Sequence, residues 1–229
     1  MILYFVRHGH PNYKNDCLTD LGKLQAAAAA ERLRECGIEK IFASTKGRAW
    51  QTAEYTAQML ELPVIPCDFM REISWKPIDG EPPAEKVNAW TIARDRVVKE
   101  QPLVDPDWSL QEPYCRNQIV ENVKNVSTGL DAWLEDLGFR REGNYYRVAK
   151  EPPYENVAMF SHGGSSSAAL AHLLNIPFPM VCGSFALDFT SISTLALSNE
   201  RGALIFPKIR LLNDARHIEG ITVENVYDN

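Results

Sequence analysis

The first 66 residues alternate between short apolar runs and longer amphipathic segments, an order that predicts strand, helix, strand, helix, strand. The run from Ile2 to Val6 is continuously apolar, which indicates a strand buried in a parallel sheet. Thr19 can cap the alanine-rich helix that follows, and the apolar stripe of that helix is predicted at Leu21, Leu24, Ala28 and Leu33. Residues 40–44 and 63–66 predict two more strands, with a second helix over 48–60 between them.

This regular order is interrupted between about residues 70 and 155, where prolines and tryptophans concentrate. Apolar residues at helical spacing predict helices over 84–100 and 117–138, and Gly143-Asn144 predicts the turn of a hairpin. The aromatic residues of this stretch are predicted to form its core, with some of them at the entrance of a pocket: Trp75, Trp90, Trp108, Trp133, Tyr145 and Tyr146.

The strand and helix pattern resumes with a strand that ends at His162, a helix over 165–175, and a pair of closing strands over 191–198 and 203–212. We therefore predict an α/β protein, a three-layer α/β/α sandwich with a mostly parallel central sheet. The chain, 1–229, is predicted to be a single domain, and its helical and irregular insertion at about 70–155 is predicted to act as a cap over the sheet.

Composition narrows the class of partner. The formal net charge of −6 and the pI of about 5.4 argue against a nucleic-acid or anionic-membrane surface, although local arginines can still bind a small anion. The five cysteines are odd in number and form no C-x-x-C pair, which favours reduced, structural thiols. The sequence shows no signal peptide and no run long enough to span a bilayer, so we expect a cytoplasmic protein.

Residues with positive or protonatable side chains follow three of the predicted strands. Arg7 and His8 follow the first strand, Arg48 lies in the turn after the second, and His162 follows the strand after the insertion. In an open parallel sheet, ligand sites form at the carboxyl ends of the strands, so we expect these residues to converge on one pocket. Helix N-termini after Arg48 and Gly164 would add backbone N–H groups, and the site would strongly favour anions.

These residue types suit the transfer of a phosphoryl group. Arginine presents a planar fork that matches phosphate oxygens and keeps its charge, and a neutral imidazole can attack phosphorus. Positioning and charge stabilisation supply most of the catalysis in such reactions. The leaving alkoxide needs a proton, which predicts a carboxylic acid at the mouth of the pocket.

Five blocks of the sequence, in this order, span nearly the whole chain. They are "VRHG", "LTDLGKLQA", "FASTKGRAWQTAE" around Arg48, "FSHGG" around His162, and the closing segment "RLLNDARHI". R-H-G alone is a weak signal, but all the blocks in order form a strong one. The chain thereby resembles the histidine phosphatase superfamily, the phosphoglycerate mutase-like proteins.

The resemblance implies a role for each site residue. His8 would be the nucleophile and would carry a transient phosphohistidine. The phosphoryl group would be held by the catalytic and phosphate-binding His162 together with Arg7 and Arg48. The family's acid lies just after the third strand, where "DFMREISW" places Glu72, with Glu81 and Asp79 as the other candidates. The resemblance implies no metal and no cofactor, and a small-molecule phosphate ester as the partner.

The sequence departs from the family pattern in a few places. His10 stands where Glu or Gln is common, and Thr45 replaces a proline, but neither change removes a catalytic group. Cofactor-dependent mutases carry extra basic residues after the acid to hold a second phosphate. The segment "SWKPIDGEPPAEK" is thin in arginine, which favours hydrolysis by water over mutase chemistry.

Three rival functions remain open at the level of sequence. The same scaffold could serve a phosphoglycerate-type phosphomutase, or a non-catalytic module that binds a phosphate ligand, since fold does not fix activity. The third rival is a metal-dependent hydrolase, suggested by the H-x-H pair of His8 and His10. The set of metal ligands stays incomplete, because His172 and His217 are poorly placed. Arg7, beside the pair, would also repel a cation. The leaving group and the oligomeric state stay undetermined.

Overall fold

A computed structural model describes residues 1–78 and 88–221. The strands are β1 (Ile2–Arg7), β2 (Pro11–Asn12), β3 (Cys17–Leu18), β4 (Lys40–Ala43), β5 (Val64–Pro66), β6 (Phe139–Glu142), β7 (Tyr145–Val148), β8 (Asn156–Ser161), β9 (Ile192–Ala196), β10 (Leu204–Ile205) and β11 (Lys208–Asp214). The helices are α1 (Asp20–Leu33), α2 (Gly47–Leu60), α3 (Ala89–Val98), α4 (Ile119–Asp136), α5 (Gly163–Leu174) and α6 (Phe178–Ser184). No helix within the described ranges is long and apolar enough to cross a membrane.

The central sheet has six strands in the order β11-β9-β1-β8-β4-β5. Strands β1, β8, β4 and β5 run parallel, and β9 is antiparallel to both of its neighbours. Because β8 lies between β1 and β4, segments far apart in the sequence become neighbours at the carboxyl edge. The predicted mostly parallel sheet is confirmed.

Helices cover both faces of this sheet. On one face, Val6 and Phe160 of the sheet pack with Leu33 of α1 and Ala53 of α2. On the other face, alternate strand residues pack against residues of α4 and α5, including Leu130. Since successive strand residues point to opposite faces, one apolar strand supplies both cores. The three-layer sandwich predicted from the sequence is confirmed.

Helix α1 starts as predicted, but its buried face differs from the prediction. The hydroxyl oxygen of Thr19 accepts a hydrogen bond from the backbone N–H of Gly22 at 3.1 Å, which satisfies one of the free donors at the helix start. Leu24, however, is 61% exposed, so the predicted stripe was wrong at that position. The buried face consists of small and polar residues together with Leu33, because α1 packs closely against α2: Gly22, Gln25, Ala26, Ala29 and Ala30.

The interrupted stretch contributes a helix to one of the helical layers as well as a separate hairpin. Helix α4 packs against α5 and β6 and buries its apolar stripe in the main core. The hairpin prediction is confirmed, since β6 and β7 pair through a two-residue turn in which Gly143 has a φ of +59°. We still propose that part of this stretch caps the carboxyl edge of the sheet. Among the described residues, that cap would consist of α3 and the segments around it.

Two further expectations need correction. The predicted closing strand over 203–212 is two strands, because β10 pairs with β7 in a separate three-stranded sheet while β11 joins the central sheet. Of the six aromatic residues expected in the core of the insertion or at the entrance of a pocket, Trp90 is 38% exposed and Tyr145 is 48% exposed, so these two are not core residues. Trp133 and Tyr146 are buried as expected.

Candidate active site

The carboxyl edge of the sheet brings the predicted strand-end residues together. Arg7 at the end of β1 pairs in register with Ser161 of β8, and Phe160 of β8 pairs with Ala43 of β4. The next residue of each strand therefore lies at the same edge, and these residues are His8, Ser44 and His162. The backbone N–H of His8 also donates to the carbonyl of Ser161 at 2.9 Å, which continues the ladder by one residue.

His8 is held in one orientation by two hydrogen bonds. Its Nδ1 lies 2.7 Å from the carbonyl oxygen of Gly9, and its Nε2 lies 3.2 Å from Nε of Arg48. A carbonyl oxygen only accepts, so Nδ1 carries the proton and Nε2 carries the lone pair. The arginine N–H donates to that lone pair. The lone pair of His8 Nε2 therefore points toward the guanidinium of Arg48.

The surroundings of His8 keep its imidazole neutral. The side chain is 1% exposed, and burial lowers its pKa from the usual 6.5 to about 3. The nearby guanidinium groups of Arg7 and Arg48 contribute to this lowering of the pKa. A protonated imidazole has no lone pair for attack, so a low pKa keeps the nucleophile available at neutral pH.

Arg48 is buried in the first turn of α2 and is also bound by a carboxylate. Its Nη1 donates to Oδ1 of Asp16 at 2.5 Å, and the backbone N–H of Gly47 donates to Oδ2 of the same residue at 3.0 Å. Burial alone would raise the pKa of Asp16, but the Gly47 and Arg48 donors outweigh it and hold that pKa below its usual value. A carboxylate thus binds the helix N-terminus and the guanidinium, two groups that suit a phosphoryl oxygen.

His162 is fully buried beside His8, with ring centroids 5.1 Å apart. Its Nε2 lies 2.8 Å from the hydroxyl oxygen of Ser44, while its Nδ1 is buried without a hydrogen-bond partner within the described residues. Burial lowers the pKa of His162, and the neighbouring His8 and Arg48 act in the same direction. When Ser44 donates to Nε2, Nδ1 carries the proton and can donate to an anion in the pocket.

Arg7, at the end of β1, is held by contacts with Leu187 and Phe189. Its Nη1 donates to the carbonyl oxygen of Leu187, and its guanidinium lies 4.2 Å from the ring centroid of Phe189. The same ring lies 5.7 Å from His8. Contacts of this kind orient a guanidinium and limit its movement, so Arg7 is presented to the pocket in a defined position.

Glu72 lies over the N-terminus of α5. Its Oε1 accepts from the backbone N–H of Ser165 at 3.2 Å and of Ile73 at 3.1 Å, which leaves Oε2 to carry a proton. A Cβ atom added to Gly164 would come within 2.6 Å of Oε1, so only glycine allows this approach. Burial raises the pKa of Glu72 despite the two backbone donors and Arg48, as a proton donor requires.

The other acid candidates, Asp79 and Glu81, lie outside the described residues. Within residues 1–78 and 88–221, no three side chains of His, Cys, Asp or Glu come together as a set that could hold a metal ion. His10 turns its Nδ1 to the hydroxyl of Thr19 at 2.9 Å and packs edge-on against Phe189 at 5.4 Å. These contacts link His10 to the start of α1 and to the ring that also lies against Arg7.

The remaining histidines lie outside the cluster, as sequence analysis indicated. His172 in α5 hydrogen-bonds Asp131 of α4 at 2.8 Å, which ties two helices together. His217 is linked to His8 through Thr190: its Nε2 lies 3.1 Å from the Thr190 hydroxyl, and the Thr190 N–H donates to the carbonyl of His8 at 3.2 Å. This contact supports the backbone that carries His8.

Sequence reasoning missed three residues of the pocket. Asp16 lies in a polar loop with nothing to mark it, and Phe189 lies in an irregular segment that only the fold brings to β1. Ser44 could have been found, because it is the residue directly after the second predicted strand and belongs to the block around Arg48.

The sequence is similar to one known protein family and to individual members of it. The profile of the histidine phosphatase superfamily (branch 1) matches residues 3–209. A probable phosphoglycerate mutase from Proteus mirabilis is 36% identical over 184 residues, which are 76% of this chain and 75% of the relative. A putative phosphoserine phosphatase from Hydrogenobacter thermophilus is 21% identical over 229 residues, which are 96% of this chain and 98% of the relative.

Solved structures share the fold of this chain. A phosphoserine phosphatase mutant from Entamoeba histolytica, solved in complex with phosphoserine, superposes with a TM-score of 0.63 at 19% identity. The match covers 95% of this chain and 98% of that one. The family profile extends from β1 into β11 and includes every strand end that forms the pocket. The chain therefore belongs to the histidine phosphatase superfamily, branch 1.

Proposed function

We propose that this protein is a metal-independent phosphomonoester hydrolase that acts on a small phosphorylated metabolite through a phosphohistidine intermediate. The observation that carries the proposal is the orientation of His8. Its Nδ1 is fixed by the carbonyl of Gly9, and its Nε2 lies beside Nε of Arg48. A neutral imidazole so aimed, within a cluster of cationic groups, is what attack on a phosphate ester requires.

In the first step, Nε2 of His8 attacks phosphorus and the bond from phosphorus to the ester oxygen breaks. Arg7, Arg48 and the Nδ1–H of His162 bind the equatorial oxygens, on which charge accumulates in the transition state. Glu72 gives its proton to the leaving oxygen, so the alcohol departs neutral. The product of this step is a phosphoryl group on His8 and an ionised Glu72.

In the second step, the Glu72 carboxylate takes a proton from water, and the water oxygen attacks phosphorus. The bond between phosphorus and Nε2 breaks, and its electron pair returns to the imidazole. Inorganic phosphate leaves, and Glu72 is protonated again. The raised pKa of Glu72 suits both steps, because a group with a pKa nearer neutrality can act as acid and then as base.

A phosphomutase is the second candidate, favoured by the 36% identity to a probable phosphoglycerate mutase. It differs only in the acceptor that takes the phosphoryl group from His8. Hydrolysis is preferred because basic residues are few after Glu72. Arg71 lies 3.6 Å from Asp68, which offsets its charge.

The proposal is tested by phosphate release from 4-nitrophenyl phosphate in excess chelator, with wild type, His8→Ala and Arg34→Ala compared. Arg34 is an exposed residue paired with Glu31 and serves as the control. We expect turnover in wild type and Arg34→Ala, and none in His8→Ala. A parallel incubation with 3-phosphoglycerate, followed by product identification, separates phosphate release from transfer to the 2-position. Isomerisation without phosphate release would replace the hydrolase by the mutase, and turnover that needs a metal or survives His8→Ala would overturn the mechanism.

A further inference from the structure

The indole of Trp90 lies beside the groups that the proposed reaction uses. A Cβ atom added to Gly163 would lie 3.7 Å from Cη2 of Trp90 and 3.5 Å from Nε of Arg7. A Cβ atom added to the next residue, Gly164, would lie 2.6 Å from Oε1 of Glu72. Since neighbouring Cα atoms are about 3.8 Å apart, Trp90 and Glu72 lie over adjacent residues at the start of α5.

This adjacency matters because Glu72 must reach the leaving oxygen. A general acid works at hydrogen-bond distance, about 2.6–3.2 Å between heavy atoms. The first atoms of the leaving group, bonded to that oxygen, would therefore lie at the same end of α5 as Trp90. Ile73, whose side chain also lies against Gly164, adds an apolar surface at the same point.

Trp90 is held in place by its own helix and by other aromatic rings. Asn88 and Thr91 form a reciprocal capping box at the start of α3, which fixes the helix turn that carries Trp90. The Trp90 ring lies 5.3 Å from Trp75, which in turn lies 6.3 Å from the buried Phe178. An indole supported in this way offers a rigid surface, and rigidity lowers the entropy cost of binding a flat group.

The ring is nevertheless 38% exposed, so it has surface available for a ligand. Two further rings lie against the phosphate-binding arginines: Phe189 lies 4.2 Å from Arg7, and Tyr13 lies 5.4 Å from Arg48. Aromatic faces thus surround the phosphate-binding groups at several points. Apolar and aromatic walls with few polar groups are typical of sites for apolar ligands.

Further charged residues line a groove that includes Glu72. The groove between the segment after β5 and α4 contains Lys46 and Arg71, and it also contains the carboxyl groups of Asp68 and Glu72. Arg71 lies 3.6 Å from Asp68. Asp68 offsets the charge of Arg71, and Glu72 is protonated in the proposed first step, so of these four residues Lys46 is the cation left to meet a second acidic group on the substrate.

We propose that Trp90 forms the leaving-group subsite and that the preferred substrates are phosphate esters whose alcohol carries an aromatic ring close to the ester oxygen. This proposal rests on the proposed hydrolase. The ring of the substrate stacks against the indole, while the ester oxygen reaches Glu72. Esters whose leaving alcohol is small and carries a carboxylate instead of a ring, such as phosphoserine or 3-phosphoglycerate, lack that contact.

The test compares benzyl phosphate with ethyl phosphate, because the two leaving alcohols have similar acidity and differ chiefly in the ring. The enzymes are wild type, Trp90→Ala, Trp90→Phe and Tyr145→Ala, the last an exposed aromatic residue on the separate hairpin. In wild type, we expect kcat/KM for benzyl phosphate to exceed that for ethyl phosphate by roughly 10- to 100-fold. Trp90→Ala should lose most of this ratio, whereas Trp90→Phe should keep part of it and Tyr145→Ala all of it.

Two results would overturn the proposal while leaving the hydrolase intact. One is a wild type that prefers phosphoserine or 3-phosphoglycerate to benzyl phosphate, with turnover that depends on His8. The other is a Trp90→Ala variant that lowers kcat/KM equally for both esters. If no ester is hydrolysed, the proposed function fails, and the subsite is decided by calorimetric binding of benzylphosphonate against ethylphosphonate. Equal affinity of wild type for the two phosphonates would refute it.

Discussion

The Nε of Arg48 lies 3.2 Å from Nε2 of His8, so an arginine N–H donates to the lone pair that attacks phosphorus in the proposed mechanism. An incoming phosphoryl group must replace this hydrogen bond, and the released N–H can then bind one of its oxygens. The side chains of Arg48 and His8 therefore already lie around the position that the phosphoryl group would take. In the proposed mechanism, Arg48 both aligns His8 before the substrate binds and stabilises charge afterwards.

Replacement of Arg48 by alanine should therefore damage binding and chemistry together. We expect kcat/KM to fall by roughly 10²- to 10³-fold or more, the scale seen when one charge-stabilising donor is removed. Steady-state kinetics with an aryl phosphate measure this effect. Arg34→Ala, which removes an exposed arginine, should stay near wild type. Similar kinetics for both variants would remove Arg48 from the site.

Replacement of Glu72 by glutamine should matter most where the leaving group needs a proton. Benzyl phosphate has a poor leaving group, so kcat/KM should fall by roughly 10²- to 10⁴-fold. The loss should be much smaller for 4-nitrophenyl phosphate, whose leaving group is stable as an anion. Equal losses on both substrates would indicate that Glu72 is not the acid.

The pH profile offers an independent test of the same residue. A general acid must be protonated, and burial raises the pKa of Glu72, so activity should persist to higher pH than an ordinary glutamate allows. The basic limb of kcat/KM in wild type should report this pKa and should disappear in Glu72→Gln. A basic limb that survives in Glu72→Gln would assign the titration to another group.

Asp16 should compete with phosphate for Arg48. Asp16→Asn keeps an oxygen for the N–H of Gly47 but removes the negative charge from Arg48. We expect inorganic phosphate to inhibit this variant roughly 3- to 10-fold more tightly, since a nearby like charge opposes anion binding. Asp20→Asn is the matched control, because Asp20 is exposed and pairs with Lys23 at 2.9 Å. Weaker inhibition in Asp16→Asn would show that Asp16 positions Arg48 rather than opposing phosphate.

The buried neutral His8 should make the fold sensitive to acid. Its native pKa of about 3 lies below the unfolded value of 6.5, so the unfolded chain binds the extra proton as pH falls through this window. Stability is therefore lost on acidification, by about 2 kcal/mol between pH 7 and pH 5 for this one group. Urea unfolding at both pH values should show a drop in the free energy of unfolding that is smaller by this amount in His8→Ala. An identical drop in both proteins would contradict the lowered pKa.

The strand-end residues were predictable because a simple rule governs them. Parallel strands align their carboxyl ends, so Arg7, His8 and His162, which follow such strands, were expected at one edge of the sheet. Arg48 followed from its place at the start of the helix after the next strand. The register of β1, β8 and β4 bears out this part of the sequence reasoning.

Other features depend on tertiary contacts that no local pattern encodes. Asp16 reaches Arg48 from a loop, and Trp90 reaches the start of α5 from a helix about 70 residues earlier in the chain. The close packing of α1 on α2 selects alanine and glycine for the buried face and leaves Leu24 in solvent, against the apolar periodicity. The segment containing β10 and β11 divides between two sheets for the same kind of reason.

The most direct test of the account is to trap the phosphoryl group on His8. Wild type and His8→Ala are mixed rapidly with an aryl phosphate whose phosphoryl group carries radioactive phosphorus, and the reactions are quenched in base. The protein is then assayed for radioactive label that is stable in alkali and lost in acid. The account predicts such label on wild type at His8, formed and discharged at rates that match turnover, and none on His8→Ala. Turnover by wild type without any labelled protein, or label on another residue, would contradict it.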